Sequence, residues 1–250
     1  MIKATLIDYM GSDLSVVNAA RVSFGKKSTW SGQEGGLDDG EGGMGVLNVT
    51  DSKLIFYLAK HKHMSPFGHA FVSFHIKAPI FVARQLVKHK FLRWNEISRR
   101  YVDDDPEIYC PKDDVWRGKS KDKKQGSSGE VDLRKKDTLP MFHPERLELN
   151  PYQACILEDL TGGNEWQLKL YKDMIKAGIA PEQARMVLPQ STMTEWYWSG
   201  SLDAFADMCI LRCKDDTQEE TRQVADQISN MMEGLFPVSW DALLMQEGEI

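Results

Sequence analysis

Residues 70–100 read AFVSFHIKAPIFVARQLVKHKFLRWNEISRR. Val72, Phe74 and Ile76 alternate with Ser73 and His75, the period-two signature of a half-buried strand over 70–76. Pro79 stands where a helix should start, and IFVARQLVKHK predicts a helix to about Lys90. Within 84–100, Arg84, Lys88, Lys90, Arg93, Arg99 and Arg100 face Glu96 alone, a net +5. A solvated basic helix face is one reading of that charge. Asn95, Glu96, Ser98 and Tyr101 follow in close succession, however, and cations mixed with an amide, a carboxylate and hydroxyls suit a polyanionic ligand that also has a hydrogen-bonding ring.

Working outward, IKATLID at 2–8 predicts a first strand, and a helix from about Leu14 to Val22 follows, capped by Ser12 or Asp13. Seven of the fifteen residues 31–45 are glycine, with four acids and no Gly-Lys-Ser/Thr after them, so a phosphate-cradling role is disfavoured. A helix from Thr50 or Asp51 to about Lys62 carries Leu54, Ile55 and Leu58 on one face. Residues 112–137 are polar, with Val115, Trp116, Val131 and Leu133 as the apolar anchors. Helices are expected over Tyr152–Leu160 and Glu165–Lys176 with a break at Thr161-Gly162-Gly163, and a short one opens at Pro181. QSTMTEWYW at 190–198 reads as a strand. Ser201 caps LDAFADMCILRC, and Thr217 with Glu220 forms a capping box for a helix to about Met232, closed by Gly234. Strands and several long helices mix without a βαβ rhythm. The expected class is therefore α+β, a mixed or antiparallel sheet in a single domain over 1–250, with flexible loops at about 25–49 and 112–140.

The 250 residues hold 31 Lys+Arg and 37 Asp+Glu, a net −6, so the chain outside 84–100 carries about −11. That acidic remainder argues against general adhesion to nucleic acid or anionic membrane. Hydrophobic residues at 42% exclude wholesale disorder. No run approaches a membrane span, Met1–Phe24 has no signal-peptide pattern, and the chain reads as cytoplasmic. Cys110, Cys155, Cys209 and Cys213 are too scattered for a disulfide framework, and the i, i+4 pair Cys209/Cys213, with no second Cys or His pair near it to suggest zinc, reads as core thiols. His61, His63, His69 and His75 lie within fifteen residues, yet they do not share one face, and no metal site is expected.

The run Lys88-His89-Lys90-Phe91-Leu92-Arg93-Trp94-Asn95-Glu96-Ile97-Ser98-Arg99-Arg100-Tyr101 resembles the signature of the flavin-dependent thymidylate synthases, Arg-His-Arg-x-x-Ser-x-Asn-Glu-x-Ser-x-Arg-Tyr. His89, Asn95, Glu96, Ser98, Arg100 and Tyr101 match, Lys88 and Lys90 keep the charge of arginines, and Arg93 replaces a serine. Ala78–Gln85, His61–His69, Glu182–Pro189 and Leu211-Arg212 with Gln218-Glu219 resemble further blocks of the family in the same order. The two polar loops are longer than the family pattern.

The resemblance implies an α+β homotetramer with active sites at subunit interfaces. It implies binding of FAD, reduction by NADPH, and passage of a methylene from methylenetetrahydrofolate to dUMP without a cysteine nucleophile. Arg212 matches an arginine at the uracil edge and Ser98 a residue near the reacting carbon, the two candidate catalytic positions. Gln85, Lys88, Glu96, Arg99, Arg100 and Arg185 are the other implied dUMP-site residues. His63, Ser65, Lys88, His89, Lys90, Glu96, Ser201 and Asp207 fall at flavin-side positions, Asp207 departing from an expected Asn or His. Two other readings stay open: a single-stranded nucleic-acid-binding module using 84–100 with Trp94 and Tyr101 as stacking surfaces, and a family member that has lost activity.

Overall fold

The computed structural model describes residues 1–31, 46–102, 104–111, 115–121, 126–132 and 151–245. Strand β1 (Lys3–Met10) leads to helix α1 (Asp13–Arg21), and α2 (Val49–Lys60) precedes a 3-10 turn at Ser65–His69. Strand β2 (Phe71–Pro79) runs into α3 (Ile80–Leu86), and short β3 (Arg93–Glu96) follows. Strands β4 (Val115–Lys119) and β5 (Ser127–Asp132) form a separate hairpin. The C-terminal half holds α4 (Pro151–Lys176), α5 (Pro181–Ala184), β6 (Met193–Ser201), α6 (Leu202–Arg212), α7 (Glu219–Leu235) and α8 (Pro237–Leu244).

The main sheet has the order β1-β2-β6-β3 and is antiparallel throughout, in keeping with the α+β class. Its two faces follow from the alternation. Val72, Phe74, Ile76 and Ala78 of β2 are fully buried, as are Trp196 and Trp198 of β6. Against them pack Val16, Ile55, Val82, Leu86, Phe205, Met208, Val224, Ile228 and Met232 from the helices. Phe205 meets both Phe74 and Trp198 edge-on, at 5.2 and 5.5 Å between ring centroids. The other face is polar and half-buried: Ser73 and Ser199 share a 2.8 Å hydrogen bond, and His75 pairs with Glu195 at 3.1 Å.

Two buried carboxylates fasten this frame. Asp13 accepts the backbone N–H groups of Val238 and Ser239, at 3.0 and 2.9 Å, and so caps α8 from the opposite end of the chain. Asp51, fully buried, accepts from Arg21 Nε at 2.9 Å, Ser28 Oγ at 3.0 Å and Asn48 Nδ2 at 2.8 Å.

Several boundaries differ from expectation. Helix α2 starts at Val49 rather than Thr50 or Asp51 and ends at Lys60; Asn48 caps it, its side chain accepting from the Asp51 N–H at 2.9 Å. Helix α3 ends at Leu86, so Lys88, His89 and Lys90 lie on the turn beyond it, where Phe91 takes a left-handed φ of 64°. Helix α4 runs unbroken through Thr161-Gly162-Gly163. Each glycine costs a helix only about 1 kcal/mol relative to alanine, too little to break 26 residues. Gln218 caps α7, while the Thr217 hydroxyl turns back to the Leu211 carbonyl at 3.3 Å, and Gly234 lies inside the helix. Strand β6 reaches Ser201. Within the polar 112–140 span, residues 115–132 include the β4–β5 hairpin; 112–114, 122–125 and 133–140 lie outside the described residues, as does 32–45 of the glycine-rich stretch.

Gly200 explains how the 87–92 turn reaches the sheet. A Cβ there would collide with the Leu92 side chain and come within 3.3 Å of the Phe91 carbonyl oxygen. Gly200→Ala is therefore expected to lose about 1–3 kcal/mol of stability in urea unfolding, because the turn must move away.

Candidate active site

Arg84 lies in the last turn of α3, Lys88 and Lys90 on the turn that follows, Arg93 at the start of β3, which pairs with β6, and Arg99 and Arg100 just beyond it. Lys88, Lys90 and Arg93 are exposed and have no carboxylate partner among the described residues. Arg99 differs, since Asp104 holds its guanidinium through both carboxylate and carbonyl. Arg100 donates from Nε to Ser98 Oγ at 3.2 Å and lies 4.8 Å from the Tyr101 ring centroid.

Arg212 is the last residue of α6, and its Nε donates to Nε2 of His89 at 3.1 Å. The two side chains, 123 residues apart in sequence, meet because α6 ends beside the turn after α3. Burial, and then the Arg212 charge, pulls His89 from its ordinary 6.5 down to about 4. The imidazole is thus neutral at pH 7, with Nε2 as acceptor and the proton on Nδ1. One side of the guanidinium is engaged, and both Nη groups are left for a ligand. Because the unfolded chain takes up a proton near 6.5 and the native site only near 4, the stability held at His89 is whole above pH 6.5. It drains as pH falls toward 4. Unfolding free energies measured across that window are expected to show a shallower acid slope in His89→Gln.

The remaining positions fall into small separate groups. Glu96 accepts from Thr194 Oγ1 at 2.7 Å and from Trp94 Nε1 at 3.1 Å, which fixes its carboxylate at the sheet edge. Gln85, on α3, donates its amide to Gln218 at the cap of α7. Arg185 uses Nε on the Glu182 carbonyl at 3.2 Å and is otherwise exposed. His63 lies between α2 and the 3-10 turn that Ser65 opens, both exposed. Ser201 caps α6, and Asp207 is on its exposed side, its carboxyl raised by burial and then by Asp203. No hydrogen bond or ion pair within the chain joins Ser98 or Arg100 to Arg212 or Arg185 among the described residues. Thr194 and the Gln218 contact escaped the sequence reading; each depends on a partner about a hundred or more positions away and leaves no local pattern.

Other candidates resolve differently. Trp94 is not a free stacking platform: it lies on Trp196 at 4.3 Å and 19°, its N–H engaged by Glu96. Cys209 is a core thiol raised well above its usual range by burial, and its pair Cys213 is half-buried against the core; Cys110 is exposed. His75 is turned to Glu195, and among the described residues no three His, Cys, Asp or Glu side chains gather as metal ligands. No described helix is long and apolar enough to cross a membrane.

The sequence pattern of the family described as thymidylate synthase complementing protein matches residues 5–238, which spans both the α3 turn and Arg212. The chain belongs to that family. It is 34% identical to a flavin-dependent thymidylate synthase of Thermosipho africanus, over 96% of this chain and 89% of the relative. It is 36% identical to one of Kosmotoga olearia, over 96% and 88%. Among solved structures, the UMP/dUMP methylase PolB of Streptomyces cacaoi bound with 5-Br dUMP superposes with a TM-score of 0.73 at 28% identity, covering 97% of this chain and 94% of that one. Membership accounts for the ordered blocks along the chain and for the antiparallel sheet. It gives the nucleic-acid-binding reading no support.

Proposed function

We propose that this chain catalyses the reductive methylation of dUMP to dTMP. In this reading it works with FAD as cofactor, methylenetetrahydrofolate as one-carbon donor and NADPH as reductant, in a cytoplasmic homotetramer whose sites form between single-domain subunits. The observation that carries the reading is the Arg212–His89 pair: a half-buried arginine with its Nη groups uncommitted, held by an imidazole that stays neutral at working pH. The relatives' names and the 5-Br dUMP complex of the structural neighbour support the substrate class.

The donor set suits a flavin dinucleotide. Lys88 and Lys90 are unpaired cations on one exposed turn, fit for a pyrophosphate, with His63, Ser65, His89, Ser201 and Asp207 as the other candidate contacts. Lysine supplies a point charge where arginine would supply a fork, so Lys88→Arg is expected to keep or tighten flavin binding in a titration of apoprotein followed by absorbance. Bound there, the flavin would supply the hydride equivalents that convert a transferred methylene to a methyl group.

The chain's own residues do the rest. The Nη groups of Arg212 would grip the uracil edge and stabilise negative charge developing on the ring, a fixed cation needing no rearrangement. Gln85, Lys88, Arg99, Arg100 and Arg185 are the candidate nucleotide contacts, with Arg99 the weakest donor because Asp104 already neutralises it. Glu96 is aligned by Thr194 and Trp94 to accept an N–H or hydroxyl from a ligand. Ser98 positions rather than attacks: its oxygen accepts from Arg100, and the one histidine in its segment, His89, is engaged by Arg212. Tritium release from C5-labelled dUMP, with NADPH and methylenetetrahydrofolate, tests the reading. Release dependent on all three is expected; a folded, flavin-loaded protein that releases none would sink it and leave an inactive family member.

A further inference from the structure

A partly open cavity of 540 Å³, lined by none of the residues given a role in the proposed reaction, lies between the start of α3, the cap of α7 and the β4–β5 hairpin. The volume falls in the range of about 300–1,000 Å³ typical of small-molecule sites. Phe81, Tyr109 and Trp116 supply aromatic walls, Phe81 and Tyr109 standing edge-to-face at 6.1 Å. The geometry points to a binding site for a planar, amino-substituted heteroaromatic base, purine or pteridine, separate from the nucleotide and flavin contacts.

Three polar features select that chemistry. The indole N–H of Trp116 is buried and has no hydrogen-bond partner among the described residues, so it calls for an acceptor such as a ring nitrogen or ring carbonyl. Glu220 is a pure acceptor at the same wall; it takes the Gln218 amide at 3.0 Å and has lone pairs left for exocyclic or ring N–H donors. Burial, then the Glu220 charge, pushes Tyr109 up to about 12, so its hydroxyl stays a donor. The third feature excludes phosphate. Arg117, the one cation on the wall, is 3.7 Å from Glu219 and donates to Ser127 at 2.5 Å, leaving no unpaired positive charge for an anion. Aromatic walls with an acceptor and a donor among them suit a base and offer a phosphate nothing. Gln218 joins this wall to Gln85, so an occupant would sit one hydrogen-bonded residue away from a proposed dUMP contact. The hairpin that completes the cavity lies within the polar 112–140 stretch.

Isothermal titration of adenosine, and separately of pterin, into protein saturated with FAD and dUMP tests the assignment without relying on turnover. Saturable binding of at least one probe is expected, and which probe binds names the class. Trp116→Phe keeps the ring and deletes the N–H, and should weaken binding about 2- to 12-fold; Glu220→Gln removes the charged acceptor and should weaken it about tenfold or more. Inorganic phosphate should not compete. Absence of binding by both probes up to about 1 mM, the weakest affinity worth calling a site, would overturn the assignment. So would binding that both folded variants leave unchanged.

Discussion

Arg212→Ala is expected to lower turnover by about 10²–10³-fold or more, the cost of removing one preorganised charge stabiliser, while the flavin absorbance of the purified protein stays in place. The asymmetry follows from the site. Arg212 closes α6 and meets the α3 turn through a single bond to His89, so its loss leaves Lys88 and Lys90 where they are. Arg212→Lys should fare little better, because an ammonium cannot hold His89 and present two parallel N–H groups to a ring edge at once. His89→Gln, which can place an amide oxygen near the Nε2 position, should retain more activity than His89→Leu. The measurements are kcat and KM for dUMP together with the flavin spectrum of each variant. If alanine at 212 removes flavin along with activity, Arg212 belongs to the cofactor side and the proposed role is wrong.

The largest expected effect on stability lies far from that pair. Asp51→Ala removes the acceptor of Arg21, Ser28 and Asn48 together and strands a partly buried guanidinium. Breaking a buried ion pair from one side costs about 3–5 kcal/mol. For a chain of this size that corresponds to a drop of roughly 6–20 °C in thermal midpoint. Asp51→Asn preserves shape and one acceptor oxygen, and should fall between the parent and alanine. Calorimetry on the three proteins checks the order; an unchanged midpoint in Asp51→Ala would mean that Arg21 finds another partner. The clamp joins α1, α2 and the segment entering the Ser31–Val46 bridge, so the helical layer behind β1 should loosen first.

Elements that carry their own pattern were legible in the sequence. The alternation in β2, Ser12 ahead of α1, Pro79 ahead of α3 and Ser201 ahead of α6 each mark a local physical event, and all four are found. What failed to show depends on distant partners. Arg93–Glu96 has no strand-like alternation and becomes β3 because β6 offers it an edge. Gly162-Gly163 resembles a stop, yet α4 continues through it, since propensity is a weak signal beside 24 other helical residues. Helix α8 went unread because PVSWDALL is too short to show a period. In the site, charge density singled out 84–100, and the resemblance added Arg212. Neither could foretell that His89 would meet Arg212, or that Asp104 would neutralise Arg99 while its neighbours stay unpaired.

The bond from Asp13 to the N-terminus of α8 has a consequence for how the protein comes into being. The two groups are 225 residues apart, and β6, a central strand of the sheet, also arrives late. A ribosome adding about 5–20 residues per second needs about 11–45 s to synthesise that interval. From the completion of β2 at residue 79 until β6 begins at residue 193, the apolar faces of β1 and β2 have been made but the central strand and the C-terminal helices that pack on them have not. Folding is thus withheld until residues 238 and 239 have been made, and a nascent chain stalled before residue 193 would offer an open sheet edge to any holdase that finds it. A chain cut before Pro237 lacks α8 and leaves Asp13 without its two backbone donors, and should aggregate or be degraded rather than stay partly active.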